Sequence, residues 1–174
     1  MKETAMYQLY GYFRSSTAYR LRIALNLKEQ AFENIPVHLV KGEQKEEDYT
    51  KLNPLGAVPT LVTPNGDTLI QSMSILEWLD ETHPTPPLLP KDTLEKARVR
   101  ALMQTIGCEL HPINNLRVLK YLVQEMGQDE DAKQKWYQHW IAEGFGVFEQ
   151  QLTRSDHTGT YCHGDTPTLA DVCL

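Results

Sequence analysis

The sequence predicts an α/β N-terminal domain followed by an all-α C-terminal domain, and three observations carry that reading. Strand and helix signals alternate through residue 83. The proline cluster His83-Pro84-Thr85-Pro86-Pro87-Leu88-Leu89-Pro90 then interrupts the chain, where helix cannot continue. No strand pattern follows it, only helical periodicity. The expected boundaries are a first domain over 1–83, a linker over 84–91 and a helical domain over 92–174.

Each element has its own signal. Tyr7-Gln8-Leu9-Tyr10 alternates as a strand, and Gly11 ends it. Leu21, Ala24 and Leu25 recur at helical spacing after the hydroxyl cluster Ser15-Ser16-Thr17, the expected N-cap region. Ile35, Val37 and Leu39 alternate with Pro36 and His38, which predicts a second strand at a sheet edge. The charged run Glu43 to Leu52 predicts a short, exposed helix. Pro64-Asn65-Gly66-Asp67 is a hairpin turn, so Thr60 to Val62 should pair antiparallel with Thr68 to Ile70. Ser74-Ile75-Leu76-Glu77 has the form of a capping box opening the next helix. The order is therefore β-α-β-α-β-β-α.

In the second half, Asp92-Thr93-Leu94-Glu95 caps a long helix carrying Leu94, Ala97, Ala101 and Leu102, which Pro112 should bend. A further helix runs from about Asp129 to Leu152. Its Trp136, Trp140, Gly144 and Phe148 stripe reads as a packed face rather than a cofactor cradle. Thr168-Leu169-Ala170-Asp171 is another capping box, with Leu174 following after about one turn. A one-turn buried helix is marginal, so further C-terminal helices are expected.

Composition narrows the function classes. A net charge of −6 without clustered Lys and Arg argues against a nucleic-acid surface. Cys108, Cys162 and Cys173 are odd in number and lack metal-ligand spacing, so they read as reduced cytosolic thiols with no structural metal. Met1 to Met6 lacks the apolar core of a secretory leader, and no run approaches the ~20 apolar residues that span a bilayer. A cytoplasmic protein is the expectation.

The hydroxyl-rich turn Arg14-Ser15-Ser16-Thr17 admits two readings. Ser and Thr at a helix start are ordinary caps, yet the same free N–H groups and helix dipole stabilise a bound anion such as a thiolate.

The run from Tyr12 to Leu25, with Ser15-Ser16-Thr17-Ala18-Tyr19-Arg20-Leu21-Arg22 at its centre, resembles the signature of zeta-class glutathione transferases. Asn53-Pro54 through Val58-Pro59-Thr60-Leu61 is similar to that family's glutathione loop, and Gln71-Ser72 to its glutamyl-binding pair. His111-Pro112-Ile113-Asn114-Asn115-Leu116 and Gly164-Asp165 with Thr168 to Asp171 resemble segments of its helical domain. The resemblance implies the glutathione transferase fold, thioredoxin-like in its first domain, and a homodimer. It departs at Thr17 and Tyr19, where the family usually carries cysteine and tryptophan.

Within that class the matches point to cis-trans isomerases of maleylacetoacetate and, as an alternative, maleylpyruvate. The resemblance implies glutathione as cofactor and a small dicarboxylate cis-enone as substrate. Addition of the thiolate makes the double bond single, rotation follows, and elimination releases the trans product. A free thiol pKa near ~8.5 leaves little thiolate at neutral pH, so the protein must stabilise it. Ser15 is the first candidate donor to sulfur, with Ser16 and Thr17 beside it and Arg14 for a substrate carboxylate. Arg20 either orients the turn, adds positive potential, or forms a salt bridge. Val58 is expected to pair with glutathione through its backbone, next to a cis Val58-Pro59 bond. Gln71 and Ser72 stand where a helix start receives the γ-glutamyl carboxylate, although Ser72 is equally a plain cap. His111 and Asn115, four apart on the long helix, complete the implied glutathione set or form an ordinary polar face. Transfer to, or dehalogenation of, α-haloacids and a non-enzymatic binding module on the same fold remain the other readings.

Overall fold

The computed structural model describes residues 6–174, so the leader reading at Met1 to Ala5 lies outside the described residues. The chain divides into two compact units between Leu88 and Leu89, inside the proline-rich segment.

The first unit holds β1 (Tyr7–Gly11), α1 (Ser16–Leu27), β2 (Phe32–Pro36), a 3-10 turn (Glu43–Lys45), α2 (Glu47–Leu52), β3 (Thr60–Val62), β4 (Thr68–Ile70) and α3 (Ser72–Thr82). The sheet order is β2-β1-β3-β4, with β2 parallel to β1 and the rest antiparallel. This is the thioredoxin-like arrangement that the resemblance implies. Leu9 and Leu61 face each other across β1 and β3 and are fully buried with Leu21, Leu25, Ile75, Leu76 and Leu79 of α1 and α3. Burial of each such side chain contributes roughly 1.5–3 kcal/mol. Gly11 lets α1 approach the strand, because a Cβ there would lie 3.0 Å from that of Ala18.

The β3–β4 hairpin pairs Thr60 with Ile70 and Val62 with Thr68, in the expected register. Three expectations need correction. The second strand is Phe32–Pro36, not a run centred on Val37, because parallel pairing ends with β1; Val37 N–H closes it on the Gly11 carbonyl. The charged stretch is not wholly exposed, since Tyr49 is buried against Thr60. Helix α3 opens at Ser72 with Gln71 as its N-cap, so Ser74 lies inside the first turn and forms no capping box.

A buried ion pair fastens the end of this unit. Lys28, at the C-cap of α1, reaches Asp80 of α3 and the Pro86 carbonyl, and Asp80 also accepts from Leu88 N–H. Helix α1, helix α3 and the proline segment meet on those two charges.

The second unit holds α4 (Thr93–Gln104), a π turn (Thr105–Leu110), α5 (His111–Ile113), α6 (Leu116–Gln124), α7 (Glu130–Thr153) and α8 (Leu169–Cys173). Asp92 caps α4 as expected, but Leu94 is exposed and the inward face is Val99, Leu102 and Met103. The wide turn precedes Pro112, whose ring would clash with the carbonyl four residues back in a regular helix. Asp129 caps α7, and Trp136, Trp140, Gly144 and Phe148 form its inward stripe. Trp136 Nε1–H donates to the Ile113 carbonyl at 3.0 Å.

Asp171 anchors the last helix. Its carboxylate accepts from Thr168 N–H and hydroxyl, both at 2.7 Å, and from Cys162 N–H at 2.8 Å. Burial alone would push its pKa up, yet these donors outweigh that and hold it below the usual carboxylate range. A depressed folded-state pKa adds stability above the unfolded value, which is lost as pH falls through the folded one. Asp171→Asn should therefore cost about 1–3 kcal/mol at neutral pH, with the deficit shrinking as wild type is acidified in denaturant titrations. A deficit independent of pH would contradict the assignment.

The two α7 glycines should respond with opposite signs. A Cβ at Gly144 collides with the Leu110 side chain, whereas nothing lies within 4 Å of one at Gly146. Thermal unfolding should show Gly144→Ala lowering stability by about 1–2 kcal/mol, overpacking exceeding the helix-propensity gain. Gly146→Ala should raise it by up to ~1 kcal/mol.

Candidate active site

The hydroxyl-rich turn is built by the end of β1 and the start of α1. Ser15 is the N-cap, its Oγ accepting from Ala18 N–H at 3.2 Å, and Ser15 N–H closes the turn on the Tyr12 carbonyl at 2.9 Å. Ser16 is the first helical residue and is exposed. An open cleft of about 310 Å³ lies against this helix start, lined by Phe13, Arg14, Ser15, Ser16, Tyr19 and Arg22. Among the described residues two guanidiniums and no carboxylate line it, and the positive end of α1 adds to the same sign. The cleft suits an anion bearing an apolar part.

Arg22 was not singled out from sequence, although its spacing from Tyr19 puts both on one side of α1. Its guanidinium lies 5.2 Å from the Tyr19 ring centroid and donates to the Phe13 carbonyl at 3.3 Å. Arg20 does not line the cleft. It is buried, with Nη1 3.9 Å from Met73 Sδ of α3.

The neighbouring loop is moulded by a closed polar network. Asn53 Nδ2 donates to the Ala57 carbonyl and to Thr60 Oγ1, at 2.8 and 3.1 Å. Tyr49 donates to the same carbonyl at 2.7 Å, which leaves the Thr60 hydroxyl as donor in the 2.9 Å Thr60–Tyr49 contact. Burial pushes the Tyr49 hydroxyl's pKa up, keeping that hydrogen in place. The network fixes Ala57 and Thr60 on either side of Val58 and the cis Val58-Pro59 bond. Val58 is tied to the turn, because its carbonyl accepts from Thr17 Oγ1 at 3.0 Å and Thr17 Oγ1 meets Ser15 Oγ at 2.8 Å. Ser15, Thr17 and Val58 therefore form one constellation.

Gln71 sits at the start of α3 with φ 69°, a left-handed conformation that a non-glycine residue holds only under constraint. Its side chain makes no cap bond, and Ser72 beside it is buried. The first-turn N–H groups of α3 thus receive no bond from the side chain of their N-cap residue. Gln44 carries no sequence signal within its charged run, yet it is buried, its Oε1 has no hydrogen-bond partner among the described residues, and its backbone lies against Gly56.

In the helical unit, His111 and Asn115 do not share one long helix as expected. His111 opens α5, while Asn115 caps α6 by accepting from Arg117 N–H at 3.1 Å, because the chain breaks after Ile113. Their side chains still meet at 3.4 Å.

No cysteine precedes Cys108, so the first unit has no thiol of its own. Burial and the neighbouring Asp171 push the Cys162 thiol up to about 12. Among the described residues, Glu95, His157 and His163 gather as metal-ligand types. Arg98 Nη1 lies 3.1 Å from His163 Nδ1 and can only donate, so a neutral His163 carries its hydrogen on Nε2, the atom a cation there would need. The cluster fits a charge network better than a metal.

Comparison with known proteins agrees with this geometry. The model of the glutathione S-transferase N-terminal domain matches residues 14–82. A maleylpyruvate isomerase of Ralstonia sp is 48% identical over 167 residues, 96% of this chain and 78% of that protein. The holo structure of a maleylpyruvate isomerase, a bacterial zeta-class glutathione S-transferase, superposes with a TM-score of 0.92 at 48% identity, covering 95% of this chain and 77% of that one. A Methylobacterium extorquens maleylacetoacetate isomerase with bound malonate and glutathione gives 0.93 at 37% identity, covering 95% and 78%. The fold, the turn and the extent of these matches together show that the chain belongs to the zeta class of the glutathione S-transferase family.

Proposed function

We propose that this protein is a glutathione-dependent cis-trans isomerase of maleylacetoacetate, forming fumarylacetoacetate in tyrosine and phenylalanine catabolism. The observation that carries the reading is the cleft at the start of α1, where Ser15, Ser16 and two arginines converge and Ser15 is tied through Thr17 to the Val58 carbonyl, in a unit without cysteine. The site fits glutathione by the chemistry of its donors: a hydroxyl N-cap, an extended loop and an uncapped helix start. Bound glutathione supplies the thiolate that adds reversibly to the cis double bond, so that it can rotate.

The chain's residues do the rest. Ser15 donates to the sulfur and, with the N–H groups of α1, favours the charged form, with Ser16 and Thr17 beside it. Arg14 takes a substrate carboxylate, and Arg22 adds positive potential where enolate charge develops. The backbone of Val58 pairs with the cysteinyl unit, and Gln71 and Ser72 receive the γ-glutamyl carboxylate. His111 and Asn115 are assigned to glutathione from the family resemblance. The unit through Leu88 is the glutathione-binding domain, and the helical unit serves the substrate. A cytoplasmic homodimer is part of the same reading; among the described residues no helix is long and apolar enough to cross a membrane.

Maleylpyruvate is the second reading, favoured by the 48% identity to the Ralstonia isomerase. Both substrates are cis enones with two carboxylates, so a cleft with two guanidiniums suits either. Absorbance assays with each, with and without glutathione, decide between them. Isomerisation of one or both only when glutathione is present is the expected result, and none would sink the proposal. Ser15→Ala should raise the pKa of bound glutathione by about one to two units, the loss of one hydrogen bond to a charged acceptor. An unchanged ultraviolet thiolate titration would remove Ser15 from that role.

A further inference from the structure

The hydroxyls at the start of α1 can be assigned hydrogen by hydrogen. A hydroxyl has one hydrogen to give and two lone pairs to receive with. Thr17 gives its hydrogen to the Val58 carbonyl at 3.0 Å. In the 2.8 Å contact between Thr17 Oγ1 and Ser15 Oγ it can then only accept, so Ser15 is the donor. Ser15 Oγ also accepts from Ala18 N–H at 3.2 Å. The one hydrogen that Ser15 has for a sulfur anion is therefore turned inward, toward Thr17.

The chain of hydroxyls reverses without moving a heavy atom. Thr17 rotates its hydrogen from the Val58 carbonyl to Ser15 Oγ, and the Ser15 hydrogen is released outward. Ser15 Oγ then accepts from Ala18 N–H and Thr17 O–H and donates once, which fills its capacity. Two donors on one hydroxyl polarise its O–H, so the bond it offers an anion is stronger than that of an isolated serine. The reversal takes a donor away from the Val58 carbonyl, and the peptide N–H of an extended ligand on that loop replaces it.

We propose that Thr17 is a positioning residue that couples occupancy of the Val58 carbonyl by a ligand peptide N–H to the outward turn of the Ser15 hydroxyl. The proposal rests on the reading of this turn as the glutathione site. It gives the threonine that departs from the family signature a definite task. A hydroxyl is needed there, in the place of a residue whose thiol donates only weakly.

Three variants test it: Thr17→Val, which keeps the shape without the hydroxyl, Thr17→Ser and Thr17→Cys. The readouts are the ultraviolet thiolate titration of bound glutathione and the Kd of S-methylglutathione, which has the peptide amide and no ionisable thiol. Thr17→Val should lower the thiolate-to-thiol ratio of bound glutathione by about three- to tenfold, the worth of one hydrogen bond. Its Kd for S-methylglutathione should be unchanged or lower. Thr17→Ser should titrate as wild type and Thr17→Cys between the two. A Thr17→Val protein with wild-type titration overturns the coupling. So does a Thr17→Ser protein as defective as Thr17→Val, since the methyl and not the hydroxyl would matter. Equal weakening of S-methylglutathione and of thiolate formation would mark a merely structural role and overturns it too. A wild-type protein that fails to bind glutathione in calorimetry fells the underlying reading, and the coupling with it.

Discussion

The site depends on the buried hydrogen-bond ring of Asn53, Tyr49, Thr60 and the Ala57 carbonyl. Three buried side chains and one backbone carbonyl bond to one another, and every hydrogen among them finds an acceptor. Such a network is costly when half-made and rigid when complete. Here it is complete, and it joins α2 to β3 through the loop that carries Val58. The turn at Ser15 gains its position from that loop through Thr17, and so from residues that never reach the cleft. The order of dependence runs from ring to loop to turn.

A second fixed point lies at the far end of the same unit. Lys28 and Asp80 are a buried pair whose members also hold the Pro86 carbonyl and Leu88 N–H. Removing one partner of such a pair leaves a stranded charge, at roughly 3–5 kcal/mol. The pair fixes how α1 and α3 lie side by side, and on the proposed function both helices offer their N-termini to glutathione. Packing at the C-terminus of α1 is thereby linked to the placing of the cleft at its N-terminus.

Much of this was legible in the sequence, and the failures have physical causes. The Asn65-Gly66 turn names its own hairpin, and the pairing of Thr60 with Ile70 follows. Asp92, Asp129 and Thr168 announce their helices because capping is local. Strand β2 was misplaced because its length is set by its partner β1, which local alternation cannot report. Ser74 mimics a cap because the true start has glutamine in a left-handed conformation, which local sequence does not announce. The hydroxyl-rich turn makes Arg14 and Ser15 legible, and both line the cleft, whereas the sequence cannot tell that Arg20 faces α3 and Arg22 the cleft. Gln44 was illegible: a buried amide inside a charged run has no signature until the loop folds over it.

With no cysteine before Cys108, the proposed isomerase draws its nucleophile from glutathione and not from its own first unit. An enzyme whose nucleophile is its own side chain is lost when that atom is alkylated or oxidised. Here the reactive atom arrives with the ligand and departs with it. A spoiled sulfur is discarded by dissociation, and the polypeptide survives its own accidents.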